Sequence, residues 1–520
     1  MLDLLFGLIS MSKTHGLIFS SRVNPIQRSS GAHRIATYLR QHDCDIEVVD
    51  FTPHLPLDKL HQFIRQSVTK DTLFFGFSPF FSYWPEKMMR LSAWIKKRWP
   101  HITTIIGGQN SVHIDDPNID IFVDSYGEVA MLDVIRNLAG FSSSPIGYDV
   151  GHFGKKQVIK ALNRYPAYNL QDYSIIMEHR DYVKDYEWLT IEFSRGCKFK
   201  CDFCNFPILG VKEDTSRTAE SFEREMKHNF DNFGVTRYYV ADETFNDRLS
   251  KISKFADVVE TLPFETFYSG FIRADLMATK PEMITELARM KFGGQYYGVE
   301  TFNQASGRVI GKGMDPARVQ QTILDAKRIT SESGLYRGTI SLIVGLPHDS
   351  RKNWKRTRNW LLDNWTEEGL VVFPLDVQDL SNGEEEYTNV SAFSKNLTKY
   401  GLREMPEEKR PYWVEAKVNH EVSYDQGNYS KQQFIWEHDS MNWFEAQKIS
   451  SKIISELYFK TASDNWQMGN AELAVHRKLT NKELEEQKML SKPASAGKMT
   501  LGSGRIKFLN EYIDNKINKS

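Results

Sequence analysis

The chain is poor in cysteine for its length and contains no apolar run long enough to cross a membrane. Four cysteines among 520 residues do not make a disulfide framework, which argues against a disulfide-stapled scaffold and favours a reducing, cytoplasmic location. Residues 1–10 are apolar, but they lack the basic start of a signal peptide and are far shorter than a membrane span. Because Met11 could itself begin the protein, we interpret residues 1–10 as an upstream-start extension.

The chain also lacks an excess of charge of either sign. Its 66 Lys and Arg residues nearly balance its 67 Asp and Glu residues, so the net charge indicates neither a membrane nor a nucleic-acid partner. A nucleic acid is not excluded, since it would need only a local basic patch. The last fifty residues hold ten Lys or Arg, and we interpret them as a mildly basic, flexible tail.

Three of the four cysteines, Cys197, Cys201 and Cys204, fall within eight residues. Iron–sulfur clusters are held by cysteine thiolates, and a four-iron cluster normally takes four of them. Three thiolates leave one iron open, which S-adenosylmethionine (SAM) could chelate through its amino and carboxylate groups. The triplet therefore predicts a [4Fe-4S] cluster with SAM beside it.

Zinc is the alternative reading of the same cysteines. Structural zinc takes four protein ligands, and the remaining cysteine, Cys44, lies far upstream at the end of a predicted helix. His179 or His228 could complete a tetrahedral site. A zinc-stabilised binding protein without catalytic activity therefore stays open at this point.

The first part of the chain alternates short apolar strands with helical stretches such as Ala32 to Gln41 and Lys87 to Arg98. This alternation predicts an α/β fold with a parallel sheet, and residues 14–140 are expected to form a Rossmann-like domain. Ligands bind beyond the carboxyl ends of such strands, where small residues follow here. The predicted strands are Gly16 to Ser20, Ile46 to Phe51, Leu73 to Phe77, Thr103 to Ile106 and Ile119 to Val123.

A Ser-rich linker, residues 141–186, precedes a second alternating region over residues 187–380. Six strands separated by helices predict a partial (β/α)6 TIM-type barrel, with the cysteine triplet directly after its first strand. One helix is predicted to be capped by Thr279. The six strands are Leu189 to Phe193, Thr236 to Ala241, Thr266 to Phe271, Gln295 to Val299, Gly338 to Val344 and Leu370 to Phe373.

Residues 381–520 lose the alternation and predict a mainly helical region that caps the barrel. An amphipathic helix is indicated by apolar residues at helical spacing, namely Ala446, Ile449, Ile453 and Leu457. Several tryptophans of this region could stack on a planar substrate, but we interpret them as packing residues. They are Trp413, Trp436, Trp443 and Trp466.

Polar residues and a glycine follow four of the later barrel strands, where a bound SAM would need contacts. Asp242 and Glu243 could accept hydrogen bonds from its ammonium group, and Arg273 suits its carboxylate. Glu300 could bind the ribose hydroxyls, and Gly345 would let the backbone approach the adenine. Acids and glycines at strand ends also serve as helix caps, so the prediction depends on all of them occurring in this order.

Residues 188–350 resemble the radical SAM domain shared by methylthiotransferases, elongator-type enzymes and a cobalamin-binding branch. The resemblance lies in Ser-Arg-Gly-Cys at 194–197, in Phe203 before the third cysteine, in Asp-Glu-Thr-Phe at 242–245, in Gly-Val-Glu-Thr at 298–301 and in Gly-Leu-Pro at 345–347. Residues 16–140 resemble the cobalamin-binding-type domain of that branch, with Gly-Gly-Gln at 107–109 and a Gly-Glu turn at 127–128.

The resemblance implies a set of cofactors and their binding residues. The three cysteines would hold a [4Fe-4S] cluster, Phe203 would lie beside SAM, and SAM would be cleaved to methionine and a 5′-deoxyadenosyl radical. The loop after the first strand has no Asp-x-His-x-x-Gly motif, so a histidine ligand to cobalamin is not expected. Cobalamin itself would contact the small or acidic residues at the strand ends, namely Ser20, Ser78, Gly107, Gly108, Gly127 and Glu128.

Two departures refine the comparison. The family often continues Gly-Leu-Pro with Gly-Glu-Thr, whereas this chain has His348, Asp349 and Ser350, which puts the contacts of that turn in doubt. No cysteine follows Cys204, which excludes the second cluster of methylthiotransferases and the methyl-carrying cysteine of one class of RNA methylases.

The sequence therefore predicts a radical SAM enzyme, with cobalamin-dependent methylation or rearrangement of an unactivated carbon as the favoured reaction. A cobalamin-independent cyclisation, epimerisation or oxidation, with a vestigial first domain, is the alternative. An electron donor such as flavodoxin or ferredoxin is implied. The substrate, a small molecule or a peptide, and the catalytic residues are not assigned.

Overall fold

The computed structural model contains a mainly parallel seven-stranded sheet and a parallel six-stranded sheet, followed by a mainly helical C-terminal region. No helix among the residues it describes is long and apolar enough to cross a membrane. Residues 1–10, Trp413 and Trp466 lie outside these residues. The structure describes residues 14–20, 28–79, 84–108, 111, 114–124, 126–141, 148–153, 156–161, 174–204, 216–334, 336–366, 368–377, 391–410, 434–461, 492–493, 499–500 and 503–519.

Seven strands form the first sheet. They are β1 (His15–Ser20), β2 (Asp45–Val49), β3 (Thr72–Ser78), β4 (Thr103–Gly107), β5 (Ile121–Asp124), β6 (Tyr148–Phe153) and β7 (Lys156–Ala161). Their spatial order is β2-β1-β3-β4-β5-β7-β6. The order reverses between β1 and β3, and ligands of doubly wound sheets bind at such a switch point.

Four helices cover the first sheet and bury apolar residues against both of its faces. The first helix begins after Ser29, whose hydroxyl accepts a hydrogen bond from the Ala32 amide at 3.4 Å. The helices are α1 (Ser30–Arg40), α2 (Leu57–Ser67), α3 (Glu86–Arg98) and α4 (Glu128–Leu138). The predicted Rossmann-like arrangement is confirmed.

The first sheet extends beyond residue 140, where we predicted the domain to end. Strand β7 pairs in parallel with β5, and β6 joins it as an antiparallel partner. Residues 148–161 therefore belong to this sheet and not to the linker 141–186. The hairpin forms one edge of the sheet and mixes polar with apolar residues, so no continuous apolar run marks it in the sequence.

The second sheet is a half-barrel of six strands that are adjacent in space in their sequence order, all of them parallel. They are β8 (Trp188–Ile191), β9 (Arg237–Val240), β10 (Phe267–Ile272), β11 (Gly294–Glu300), β12 (Arg337–Val344) and β13 (Gly369–Pro374). The predicted partial (β/α)6 barrel is confirmed.

Seven helices pack on the outer face of the half-barrel. They are α5 (Ala219–Phe233), α6 (Leu249–Thr261), α7 (Ala274–Thr279), α8 (Glu282–Arg289), α9 (Gln304–Val309), α10 (Pro316–Ser333) and α11 (Arg351–Asn364). The predicted cap at Thr279 is wrong. Thr279 ends α7, and its hydroxyl donates to the Asp275 carbonyl at 2.9 Å, whereas α8 begins after Pro281 without a side-chain cap.

The described part of the C-terminal region adds short strands and three helices. They are α12 (Ala392–Lys395), β14 (Arg403–Glu404), β15 (Trp436–His438), β16 (Met441–Asn442), α13 (Trp443–Thr461), β17 (Lys492–Pro493), β18 (Met499–Thr500) and α14 (Ser503–Lys519). The predicted amphipathic helix is α13, which lies along β13, where the Ser450 hydroxyl donates to the Val372 carbonyl at 2.6 Å. Trp436 is fully buried, as its interpretation as a packing residue requires.

The end of the chain is not the flexible tail that we predicted, because α14 packs on the first domain. Five apolar side chains of α14 enter that core, namely Phe508, Leu509, Tyr512, Ile513 and Ile517. The Tyr512 hydroxyl accepts a hydrogen bond from the Asp50 amide at 2.9 Å. The fully buried Arg28 guanidinium lies 5.8 Å from the Tyr512 ring centre and bonds to both Asp50 and Glu187.

Candidate active site

The cysteine-bearing loop follows β8 and is fastened to the barrel by Asp242, which follows β9. The buried Asp242 carboxylate accepts hydrogen bonds from the Phe193 amide at 2.7 Å and from the Ser194 hydroxyl at 2.5 Å. Burial raises the pKa of Asp242, and Lys251, at 3.4 Å, opposes that rise. Asp242 is thus a structural anchor of the loop, and its predicted contact with SAM stays a prediction.

A second anchor comes from the C-terminal region. The Tyr400 hydroxyl donates to the Asp202 carboxylate at 2.9 Å, and the Phe393 amide bonds to the Asp202 carbonyl at 3.3 Å. Asp202 lies between the second and third cysteines. Residues 392–400 therefore hold the cysteine loop from the C-terminal region. The sequence did not reveal this role, because the partners are almost two hundred residues apart.

The three cysteines are half-buried and form no disulfide, and the sulfurs of Cys197 and Cys201 lie beside polar groups. An Arg273 Nη donates to the Cys201 sulfur at 3.4 Å, and the Thr244 hydroxyl lies 3.5 Å from the Cys197 sulfur. Burial raises the pKa of Cys201, while the positive charge of Arg273 lowers it. Hydrogen-bond donors beside sulfur suit thiolate ligands of an iron–sulfur cluster, because they stabilise the anionic sulfur.

The zinc alternative finds no ligand set. Within the residues described, no group of three or more His, Cys, Asp or Glu side chains converges closely enough to bind one metal ion. His228 bonds instead to the Met177 carbonyl at 2.8 Å, and the His179 ring packs on Phe233 at 5.5 Å. Thiolates of a four-iron cluster each bind a different iron and need not converge on one point, so the triplet fits a cluster better than a single zinc ion.

Arg273, which was predicted to bind the SAM carboxylate, lies against the cysteine loop. Its guanidinium binds both oxygens of the Asp275 carboxylate, at 3.1 and 2.6 Å, and lies 4.0 Å from the centre of the Phe199 ring. The pKa of Asp275 is lowered by this pairing against the effect of burial. Arg273 therefore places its positive charge beside the cysteine loop, where the cluster is predicted. Its binding of the SAM carboxylate stays a prediction.

Glu300 and Phe203 meet at Lys312, a residue that sequence reasoning missed. The Lys312 ammonium lies 3.0 Å from a Glu300 carboxylate oxygen, donates to the Gly298 carbonyl at 2.7 Å, and lies 5.5 Å from the Phe203 ring centre. Glu300 adopts a left-handed backbone conformation, with φ of 66°, which is strained for a side chain of this type. The ribose of a bound SAM would therefore have to share the Glu300 carboxylate with Lys312.

Gly345 makes room for a side chain of the protein. A Cβ placed on Gly345 would lie 2.0 Å from the Trp436 ring, so the glycine at this strand end accommodates the indole. The family's Gly-Glu-Thr continuation is replaced here by a turn built on Asp349, which accepts hydrogen bonds from the Gly345 and Leu346 amides and from the Trp354 indole. The predicted approach to adenine stays a prediction.

Glu243 faces an unusual environment for a carboxyl group. Burial raises the pKa of Glu243 to about 7, and the neighbouring carboxylates of Asp242 and Glu192 add to the rise while Arg195 opposes it. A carboxyl poised near neutral pH at the end of a barrel strand is able to bind a cation or exchange a proton. Glu243 was predicted from the sequence to contact the SAM ammonium, and that contact stays a prediction.

A cleft of about 830 Å³, open solvent included, lies at the switch point of the first sheet. Five of the six residues selected for cobalamin line it, namely Ser78, Gly107, Gly108, Gly127 and Glu128. The sixth, Ser20, is buried at the end of β1 and is not among the lining residues. A Cβ on Gly107 would meet its nearest neighbour, the Val123 carbonyl, at 3.6 Å, so this glycine leaves space in the cleft. The room and the small residues fit a large, flat ligand.

The wall of the cleft includes two residues of the cysteine loop region, Glu192 and Arg195. The buried Arg195 guanidinium donates to Glu128 at 2.6 Å and to Glu192 at 2.8 Å, and lies 4.5 Å from the centre of the Tyr126 ring. Arg195 is part of the Ser-Arg-Gly-Cys motif that the sequence showed. Its role was not identified from the sequence, because its partner Glu128 belongs to the other domain.

The inner face of the half-barrel carries an aromatic wall. Phe271 packs edge-on against Tyr296 at 5.0 Å and against Tyr239 at 6.4 Å. It remains 38% exposed although β10 is a central strand. Thr190 and Ser269 share this face by register with Tyr239, and their buried hydroxyls have no hydrogen-bond partner among the described residues. The interior is therefore open to an apolar or aromatic molecule with a polar edge.

A parallel half-barrel that carries a cysteine triplet after its first strand is the arrangement expected of a radical SAM domain. The sequence agrees, because residues 191–361, from the end of β8 into α11, match the model described as the Radical SAM superfamily. The chain thus contains a radical SAM domain.

Two curated relatives share part of the sequence. An anaerobic magnesium-protoporphyrin IX monomethyl ester cyclase of Synechocystis is 22% identical over 246 residues, which is 45% of this chain and 49% of the relative. An uncharacterized methyltransferase of Pyrococcus horikoshii is 28% identical over 167 residues, 32% of this chain and 34% of the relative. The chain thus matches about half or less of the length of these relatives.

Two solved structures share the fold over nearly the whole chain. The radical SAM methyltransferase TsrM from Kitasatospora setae, solved with cobalamin and a [4Fe-4S] cluster, has a TM-score of 0.63 at 13% identity and covers 97% of this chain and 99% of its own. The cobalamin-dependent radical SAM enzyme OxsB, solved with aqua-cobalamin and SAM, has a TM-score of 0.55 at 14% identity, covering 97% and 78%. The chain has the fold of this cobalamin-dependent branch.

Proposed function

We propose that the protein binds a [4Fe-4S] cluster through Cys197, Cys201 and Cys204, cleaves SAM reductively, and uses cobalamin in the methylation or rearrangement of an unactivated carbon. The observation that carries the proposal is the position of the glycine-rich cleft, which shares Arg195 and Glu192 with the region that leads into the cysteine loop. A ligand in the cleft would therefore lie beside the cluster loop.

When bound, the cluster would pass one electron to SAM, whose sulfur–carbon bond breaks to give methionine and a 5′-deoxyadenosyl radical, and cobalamin would carry a methyl group. The residues of the chain bind and orient. Arg273 donates a hydrogen bond to the Cys201 sulfur, and Thr244 lies beside the Cys197 sulfur. Glu243, whose pKa is raised to about 7 by burial, would receive the SAM ammonium. The aromatic wall around Phe271 bounds the substrate space.

The named neighbours support this proposal. TsrM is a methyltransferase solved with cobalamin and a cluster, and OxsB is cobalamin-dependent. The electron for the cluster would come from a reduced partner such as flavodoxin or ferredoxin, and a cytoplasmic setting would keep the thiols reduced. The cobalamin-independent reaction, with a vestigial first domain, remains the second candidate.

Anaerobic reconstitution separates the two candidates. The protein is loaded with iron and sulfide, incubated with hydroxocobalamin, desalted, and treated with SAM and dithionite. We expect 5′-deoxyadenosine in the product mixture and about one corrinoid per chain in the optical spectrum. Deoxyadenosine without corrinoid uptake would favour the cobalamin-independent enzyme. Zinc without iron, and no deoxyadenosine, would contradict both.

A further inference from the structure

Arg195 belongs to two sites at once. It lies two residues before Cys197, within the loop that carries the cysteines, and it is only 6% exposed. Its guanidinium nevertheless points into the first domain, where it pairs with Glu128 at the beginning of α4 at 2.6 Å. An arginine in this place is therefore part of the cluster loop by sequence and part of the cleft wall by contact.

The charges around Arg195 form a chain that crosses the domain boundary. Glu128 also pairs with Arg34 at 3.3 Å, and Arg34 in turn donates to the Ser174 carbonyl at 2.9 Å. On the barrel side, Arg195 donates to both oxygens of Glu192, which follows β8 directly. Arg195 and Arg34 are thus two cationic partners of one buried carboxylate, one on each side of the boundary.

Buried ion pairs of this kind hold their members to one geometry, because moving one charge away leaves the other desolvated and unpaired. Glu128, Tyr126 and Arg195 all line the cleft, so a large ligand there would contact the group that fixes the start of the cysteine loop. Any change in the position of Arg195 on ligand binding would reach the Cys197 backbone through one intervening glycine.

We propose that Arg195 is a positioning residue that couples the two cofactor sites. Ligand binding in the cleft then tightens binding at the cysteine loop, and binding at the cysteine loop tightens binding in the cleft. This inference rests on the proposed function, because it needs both a corrinoid and a cluster. Coupling between two binding equilibria is reciprocal, so the ratio of corrinoid affinities with and without cluster measures it directly.

The test measures the dissociation constant of hydroxocobalamin for the full chain in its cluster-free and its cluster-loaded forms, by anaerobic optical titration. In the wild type we expect cluster loading to tighten hydroxocobalamin by at least about 5-fold, the lower end of usual coupling factors. In Arg195→Met we expect the ratio to fall to about 1. Arg195→Lys keeps the charge but not the paired geometry, and is expected to restore part of the ratio.

Arg34→Met is the matched control. It removes the other cationic partner of the same carboxylate without touching the cysteine loop. We expect weaker hydroxocobalamin binding in both forms but a ratio like that of the wild type. Arg195→Met leaves Glu128 with one partner fewer, which could disturb folding. The double variant Arg195→Met/Glu128→Gln removes both members of the pair and controls for this effect. We expect it also to show a ratio of about 1.

The outcomes separate the inference from the proposed function. A chain that binds no hydroxocobalamin, or assembles no cluster, contradicts the proposed function and the coupling with it. A wild type that binds both cofactors with a ratio of 1 overturns the coupling alone. So does a ratio that is equally large in the wild type and in Arg195→Met, since the communication would then use another route.

Discussion

The first sheet ends in glycines and serines around an open cleft, whereas the barrel strands end in charged side chains that are already paired within the protein. Gly107 and Gly108 leave space, while Asp242, Arg273 and Glu300 each hold a neighbouring side chain or backbone group. The difference teaches that two sheets of one chain can end in different surroundings. One ends at an open cleft, and the other ends in paired charges beside the cysteine loop.

The sharpest test of this contrast uses the cysteines of the two domains. Cys197→Ala removes one thiolate of the barrel site, and we expect iron content after reconstitution to fall to about a tenth of wild type or less, with loss of 5′-deoxyadenosine formation. Cys44→Ala is the control, because the pKa of Cys44 is raised by burial to about 11 in the first domain. Equal loss of iron in both variants would break the contrast.

Alanine substitutions of two glycines at strand ends test whether the space beside each glycine is occupied by another side chain or left open. Gly345 has φ of 96°, and its missing side chain makes room for Trp436, so Gly345→Ala should lower the free energy of unfolding by about 4 kcal/mol. Gly107→Ala points into the cleft and should cost less than about 1 kcal/mol. Urea unfolding of both variants measures the difference. Similar costs would mean that the cleft is as tightly packed as the barrel turn.

The helix α14 packs on the first domain, and none of its residues lines the described cleft. Ile513 is fully buried, whereas Ile506 on the same helix is 49% exposed. We expect Ile513→Ala to lower the free energy of unfolding by about 3 kcal/mol and Ile506→Ala by less than about 0.5 kcal/mol. Denaturant titration followed by circular dichroism checks this pair. Equal effects would show that α14 does not pack on the first domain in solution.

The last expected effect is a pH dependence of stability that comes from Glu243. Its pKa is raised to about 7 by burial, so the folded state holds a proton that the unfolded chain releases at lower pH. Stability contributed by this group is full below the ordinary carboxyl pKa and is lost as pH rises through about 7.

The melting temperature of the wild type should therefore fall, relative to that of Glu243→Gln, between about pH 5 and about pH 8. Asp247→Asn serves as the comparison, since Asp247 pairs with Lys251 at 2.7 Å at the same end of the barrel. Parallel curves for the wild type and Glu243→Gln would contradict the assigned environment of this carboxyl group.

The sequence was informative where a single strand or loop carries the signal. All six barrel strands lie within about three residues of their predicted bounds, because buried parallel strands are short apolar runs between turn residues. Five of the six residues predicted to contact cobalamin line the cleft, and four of these five are glycine or serine. In both cases, the local pattern and the fold class suffice to place the residues.

Contacts between distant segments were beyond the sequence. The edge hairpin at 148–161 has too few apolar residues to stand out, and the packing of α14 on β2 depends on a partner more than four hundred residues away. The apolar residues of α14 do recur at helical spacing, a signal that could have been used. Nothing local marks the pairing of Arg195 with Glu128, since it exists only once the domains have met.

Electron paramagnetic resonance of the reduced, cluster-loaded protein with and without SAM tests the central claim most directly. A cubane held by three cysteines has one iron that SAM can reach, so the account predicts a low-temperature signal of a reduced four-iron cluster whose line shape changes when SAM is added. A signal that SAM leaves unchanged, or a protein that yields no such signal after anaerobic reconstitution, would contradict it.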